Sequence, residues 1–114
     1  MGPENRLIFM TGPFATTPVI TSGRHAVVTK SPLTGAFMES DSGGTWGPFL
    51  KRAGFDGVVI TGKADKPVYL WVADGKAEIR DAGRLWGMDT YEVDPVLRKD
   101  TRNQAVVASI GPAG

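Results

Sequence analysis

Two short segments of the chain carry residue types that could bind an anion. Arg24 follows Ser22-Gly23 and opens a strand-like run, so its guanidinium has little neighbouring side-chain cover and suits bidentate phosphate recognition. In Asp41-Ser42-Gly43-Gly44-Thr45, two adjacent glycines allow close backbone approach, and the start of a predicted helix presents free amide N–H groups to an anion. Together the two segments predict an anion cradle. An ordinary helix cap beside a surface arginine is the alternative interpretation of the same pattern.

The other residues that could take part in chemistry exclude several classes of site. The chain has no cysteine, which excludes a disulfide scaffold, a cysteine nucleophile, a zinc–thiolate site and a cysteine-ligated iron–sulfur cluster within these residues. His25 is the one histidine and lies in a strand-like run, where a structural role in the sheet is expected. The acidic residues are scattered, and Tyr69 and Trp71 lack the interleaved basic residues of a nucleic-acid stacking surface.

Length and charge limit the class of protein. The chain has 114 residues, which corresponds to one domain or less. Its net charge of +1 gives no electrostatic footprint for nucleic acid or an anionic membrane. No apolar run approaches the ~20 residues of a membrane span. The absence of cysteine fits a reducing compartment, and we expect a cytoplasmic protein. The 15 glycines and 8 prolines, spread among many Val, Ile and aromatic residues, indicate an ordered fold with many tight turns.

Hydrophobic periodicity and turn residues predict a β-rich α+β fold with antiparallel or mixed sheets and about two short helices. Asp74-Gly75 is a hairpin signal, and strands 58–63, 67–72 and 76–80 are predicted to form one antiparallel meander. Pro95 favours a second helix that begins as late as Asp94, although Asp89 is also a candidate start. The other strands are predicted at 7–11, 24–30, 36–40 and 105–110, and the first helix at 45–53.

The order of several motifs resembles the N-terminal domain of the aldehyde:ferredoxin oxidoreductase family. The most specific motif is Lys30-Ser31-Pro32-Leu33-Thr34-Gly35. It lies within the matching stretch 24–44, which is followed by further matching stretches at 53–63, 66–70 and 109–114. The resemblance covers essentially the whole chain without a large insertion. It implies that residues 1–114 are an internal piece of that domain, with no boundary inside them.

The resemblance implies a fold, cofactors and partners for the whole enzyme. The family domain is a β-rich base with pseudo-twofold sheets, which would explain why two apolar runs, 9–11 and 108–110, both end at Gly-Pro. Members oxidise aldehydes to carboxylic acids and pass electrons to ferredoxin. Their cofactors are a tungsten, less often molybdenum, bis-pterin with a bridging magnesium ion and a [4Fe-4S] cluster whose ligands belong to later domains. The implied partners are those domains, ferredoxin and a small aldehyde, with a second copy of the chain as a further candidate.

Three residues match family cofactor contacts. Arg24 corresponds to an arginine that contacts the pterin phosphates, and Gly43 to a backbone contact with the cofactor. Asp41 stands where the family often has an asparagine beside the magnesium ion, which it would contact through its backbone carbonyl. No catalytic residue falls in this chain, so the isolated chain is expected to be inactive. The alternative function is a stand-alone β-rich binding or assembly module without redox activity.

Overall fold

Strand β1 (Arg6–Thr11) is one of the two inner strands of a four-stranded antiparallel sheet in this computed structural model, which describes residues 2–111. It pairs on one side with β2 (His25–Lys30) and on the other with β4 (Gly57–Thr61). Strand β3 (Phe37–Ser42) pairs with the outer side of β2, so the order is β3-β2-β1-β4. Apolar β-branched residues in β1, β2 and β4 favour these strands. In the turn between β2 and β3, the Ser31 hydroxyl accepts hydrogen bonds from the backbone amides of Leu33 and Thr34.

The short helix α1 (Trp46–Arg52) packs on one face of this sheet. The Trp46 ring lies 5.3 Å from the ring of Phe9 in β1, and Leu50 is buried on the same side of the helix. The helix ends at Ala53, and Gly54 follows with a φ of +101°, a left-handed conformation that favours glycine. The opposite face of the sheet has no helix on it among the described residues, and Met10 and Val59 are exposed there.

A second, two-stranded sheet is formed by β5 (Val68–Ala73) and β6 (Lys76–Asp81). Asp74 and Gly75 both have positive φ values, as the predicted Asp-Gly hairpin turn requires. A 3₁₀ turn at Gly83–Leu85 and helix α2 (Thr90–Asp100) follow. These elements share one apolar core, formed by the buried residues Ala82, Leu85 and Leu97 with the partly buried Tyr69, Val93, Val96 and Val107.

The α+β class with antiparallel sheets and two helices is confirmed, but two strand predictions are wrong. Strand β4 does not form a meander with β5 and β6, because its residues pair with β1, from Arg6↔Thr61 to Met10↔Gly57. Residues 105–110 form no strand, since no neighbouring strand pairs with them, and Val107 packs against the α2 core instead. The expected repeat at the second Gly-Pro includes Pro112, which lies outside the described residues.

Of the two predicted starts of the second helix, Asp89 is confirmed and the later start at Asp94 is wrong. Helix α2 begins at Thr90 because Asp89 and Glu92 form a reciprocal capping box, each side chain accepting the other residue's amide at 2.9 Å. Pro95 therefore lies inside the helix, where its ring nitrogen has no proton to donate to the carbonyl of Tyr91. Neither described helix is long and apolar enough to cross a membrane.

Candidate functional site

The antiparallel pairing of β2 with β3 brings Arg24 to Gly43. The last paired residues are His25 and Ser42, so one further step in the same register places Arg24 opposite Gly43. The next two residues, Gly23 and Gly44, also lie close together, because a Cβ atom built on Gly23 would lie only 3.0 Å from the carbonyl oxygen of Gly44. The two segments predicted to form an anion cradle therefore run side by side.

Arg24 and Asp41 belong to the open face of the sheet. Side chains alternate between faces along a strand, and directly opposed residues share a face. Asp41 is opposite Ala26, two residues after Arg24, whereas His25 lies on the face that α1 covers. Both Arg24 and Asp41 are exposed, and the Arg24 guanidinium has no ion-pair or hydrogen-bond partner among residues 2–111.

The surface beside Gly43 has room for a bound group. A Cβ atom built on Gly43 would meet no heavy atom within 4 Å. An unpaired guanidinium next to an uncovered stretch of backbone suits a phosphate group, because the guanidinium can donate two hydrogen bonds and the backbone allows close approach. The described residues at this place therefore fit the phosphate of a pterin cofactor.

Asp41 occupies a different element from the one predicted. It lies inside β3, paired with Ala26, and not in a loop that leads into the helix. Strand β3 extends to Ser42 because His25 and Ala26 continue the ladder beyond the predicted end. Its carboxylate stands on the same face as Arg24 without forming an ion pair with it. Within the described part of the chain, no three His, Cys, Asp or Glu side chains are grouped as metal ligands.

Helix α1 contributes less to the cradle than the sequence suggested. It has only seven residues, and Thr45 makes no side-chain hydrogen bond as its N-cap. Two helical turns align few peptide dipoles, so the helix provides a small positive potential at its start. The charge that favours an anion at this place comes from Arg24.

The backbone of Arg24 is held from the face that α1 covers. A Cβ atom built on Gly47 would lie 3.2 Å from Cβ of His25 and 3.3 Å from the carbonyl oxygens of Gly23 and Arg24. The His25 ring rests against Trp46 with a centroid distance of 4.8 Å and an interplanar angle of 46°. Burial lowers the pKa of His25 below its ordinary value, and the nearby Asp41 carboxylate partly opposes that shift.

Three of these supporting residues were not singled out for a role at the site from the sequence. Gly47 and Trp46 were assigned only to a helix, and His25 only to a strand, because nothing local in the sequence shows that they meet. Thr21, which precedes Arg24 by three residues, has a φ of +63°, a conformation that a β-branched residue rarely adopts. Such strain costs about 1–3 kcal/mol and is common beside functional sites.

Comparison with known proteins supports the sequence resemblance. Residues 1–114 match the family model described as aldehyde ferredoxin oxidoreductase, N-terminal domain. The chain is 49% identical over its whole length to a tungsten-containing aldehyde ferredoxin oxidoreductase of Pyrococcus furiosus, and 47% identical to one of Thermococcus kodakarensis. It spans 19% of the length of each of these relatives.

A solved structure shares the fold. It is a chain of the active site complex BamBC of benzoyl coenzyme A reductase in complex with 1,5-dienoyl-CoA. The TM-score is 0.84 at 39% sequence identity, and the match covers 90% of this chain and 16% of that chain. The family-model match over all residues and the identity to full-length relatives agree on one assignment. The chain belongs to the aldehyde ferredoxin oxidoreductase family and corresponds to its N-terminal domain.

Proposed function

We propose that this chain is part of the pterin-binding N-terminal domain of a tungsten-containing oxidoreductase that converts aldehydes to carboxylic acids and passes the electrons to ferredoxin. The observation that carries the proposal is the unpaired, exposed Arg24 placed beside the uncovered backbone of Gly43 by the β2–β3 register. The tungsten-containing relatives support the metal and the reaction class.

Each site residue has a defined role in this proposal. The Arg24 guanidinium donates hydrogen bonds to a pterin phosphate, and Gly43 leaves room for that phosphate to approach the backbone. Asp41 would offer its backbone carbonyl to a magnesium ion, and the charge of that ion would offset the repulsion between the Asp41 carboxylate and the phosphates. When bound, the tungsten bis-pterin supplies the two-electron oxidation of the aldehyde.

The remaining chemistry is assigned to other parts of the same protein. The chain contains no cysteine, so the thiolate ligands of a [4Fe-4S] cluster and the electron path to ferredoxin lie outside it. The partners proposed for residues 1–114 are therefore the other domains of the enzyme, with the small aldehyde and ferredoxin as partners of the whole. We place the enzyme in the cytoplasm.

Replacing Arg24 tests the proposal in the full-length protein. Arg24→Ala removes the charged partner of a buried phosphate, which should weaken the binding free energy of the cofactor by about 2–5 kcal/mol. Most of the pterin and tungsten should therefore be absent after purification. Arg24→Lys should retain an intermediate amount, because a point charge replaces a planar fork of donors. Tungsten is measured by mass spectrometry of the metal and pterin by the fluorescence of its released, oxidised form.

Arg52→Ala is the matched control. Arg52 is an exposed arginine on α1, on the other face of the sheet, and its guanidinium lies over the Phe49 ring and not at the cradle. Its removal should leave the pterin and tungsten content unchanged. Full cofactor content in both Arg24 variants would rule out Arg24 as a phosphate ligand. A wild-type protein without tungsten or pterin would favour the alternative of a binding module without redox activity.

A further inference from the structure

The Arg24 side chain lies on one face of the sheet, whereas the contacts that fix its backbone come from the other face. His25, the next residue, points toward α1 and is only 9% exposed. The centroid of the Trp46 ring lies 4.8 Å from that of His25 and 5.3 Å from that of Phe9. Gly47 lies against the carbonyls of Gly23 and Arg24 with no space for a side chain. The packing of His25 and Gly47 on this face therefore holds the backbone of Arg24 beside Gly43.

The geometry points to His25 as the positioning residue of the phosphate cradle, acting through its contact with Trp46 to hold the Arg24 backbone in register with Gly43. This inference rests on the proposed function, because the cradle it concerns is the phosphate site. His25 does not touch the cofactor in this arrangement. It acts through the backbone that carries Arg24, from the opposite side of the sheet.

The surroundings of His25 favour a neutral ring. Its Nδ1 atom is buried and has no hydrogen-bond partner among the described residues, so a proton added there would be neither solvated nor paired. Uncharged residues face it from every element packed against it, namely Thr11 on β1, Ser42 on β3, and Trp46 and Gly47 on α1.

The charged groups on the elements around His25 are on the open face of the sheet or at the far end of α1. Asp41 is the charge that favours the imidazolium. Lys51 and Arg52 occupy the last turn of α1, away from Trp46. Burial outweighs the attraction of Asp41, so the pKa of His25 lies below its ordinary value. A protonated Nδ1 would need a partner that its buried position does not offer, so protonation should favour states in which the ring leaves Trp46 for water, and the order of the cradle should depend on pH.

Hydrogen exchange measured by mass spectrometry tests this without reference to the cofactor. The full-length protein is compared with His25→Phe, which keeps an aromatic ring against Trp46 but cannot be protonated. Near pH 7.5 the two should exchange equally in peptides that cover residues 22–26 and 42–48. About one pH unit below the ordinary histidine pKa of ~6.5, the wild type should exchange faster there, by roughly two- to tenfold. Comparison at equal pH cancels the intrinsic pH dependence of exchange.

A peptide that covers residues 68–81 is the internal control, because the β5–β6 hairpin does not contact His25 and should exchange equally in both proteins. His25→Ala, which removes the ring, should exchange faster than wild type in the two cradle peptides at both pH values. Equal exchange of wild type and His25→Phe at the lower pH would overturn the inference. So would His25→Phe behaving like His25→Ala near pH 7.5.

Pterin content after dialysis at the two pH values gives the second readout. Phosphate protonation affects the wild type and His25→Phe alike, so only the difference between them reports on His25. Wild type should lose more pterin than His25→Phe at the lower pH and the same amount near pH 7.5. An exchange difference without any effect of Arg24→Ala on the cofactor would leave the role of His25 standing and contradict the proposed function. If wild type and His25→Phe exchange equally at the lower pH, while Arg24→Ala lowers the cofactor content, the role of His25 is contradicted and the proposed function stands.

Discussion

At the scale of single residues, Gly43 and Gly23 at the cradle have opposite constraints. Gly43 has open space where a Cβ would be built, whereas a Cβ on Gly23 would lie 3.0 Å from the carbonyl oxygen of Gly44. Gly43→Ala should therefore leave the midpoint of thermal unfolding almost unchanged but lower the pterin content, because the methyl group would occupy space proposed for the phosphate. Thermal unfolding of the metal-free protein and pterin release from the holoprotein are the two measurements.

Two further variants make the Gly43 test specific. Gly2→Ala adds the same methyl group at an exposed turn, where its nearest contact would be an ordinary 3.8 Å, and should affect neither measurement. Gly23→Ala should be destabilising by about 1–3 kcal/mol, since the opposing atom is backbone and can move only with the strand. A Gly43→Ala protein with full pterin content would show that the cofactor does not approach this stretch of backbone.

At the scale of elements, the start of α2 depends on one pair of side chains. The capping box between Asp89 and Glu92 satisfies two amides at the helix start, and Pro95 weakens the following turn. Asp89→Ala should lower the free energy of unfolding by about 1 kcal/mol, measured by urea denaturation. Asp65→Ala, an exposed aspartate in the turn between β4 and β5, is the control and should change it by less than ~0.5 kcal/mol. Equal effects of the two substitutions would show that the cap does not stabilise α2.

At the scale of the whole molecule, the chain exposes more surface than a self-contained domain. Its accessible surface is 8438 Å², whereas a folded monomer of this mass exposes about 6,100 Å². The excess is roughly 2,300 Å² on this chain alone, and obligate interfaces bury about 2,000–5,000 Å² summed over both partners, so the excess is large enough for such an interface. Large apolar side chains stand exposed on the open face of the four-stranded sheet, such as Phe37 and Val59, and on the β5–β6 hairpin, such as Ile79. These surfaces are where we expect the other domains of the enzyme to pack.

The 114-residue chain expressed alone should therefore self-associate and should not retain tungstopterin. Bare apolar faces favour association, and a phosphate bound on an open surface is screened by solvent and salt. Light scattering over a range of concentrations tests the association, and metal analysis with an aldehyde-dependent viologen reduction assay tests the cofactor and activity. A monomer that holds stoichiometric tungsten and reduces the dye would contradict both the proposed division of chemistry between domains and the role given to the exposed faces.

Local features of the sequence were sufficient for much of the structure. The Asp74-Gly75 turn, both helices and the six strands 7–11, 24–30, 36–40, 58–63, 67–72 and 76–80 were predicted with end shifts of a few residues. This success has a simple cause, because turn residues and side-chain periodicity act within a few positions along the chain. The family was also readable from the order of its motifs, which the comparisons confirm.

Only the tertiary structure decided which strands pair and what surrounds the candidate site. The pairing of β1 with β4 joins residues as distant as Arg6 and Thr61, and no local pattern specifies such a partner. The apolar run 105–110 looked like a strand, yet a strand requires a neighbour, and Val107 finds its burial against α2 instead. His25 acquires its buried position from Trp46, 21 positions away, for the same reason. Hydrogen-bonded pairing and burial depend on residues far apart in sequence, so they are properties of the folded chain.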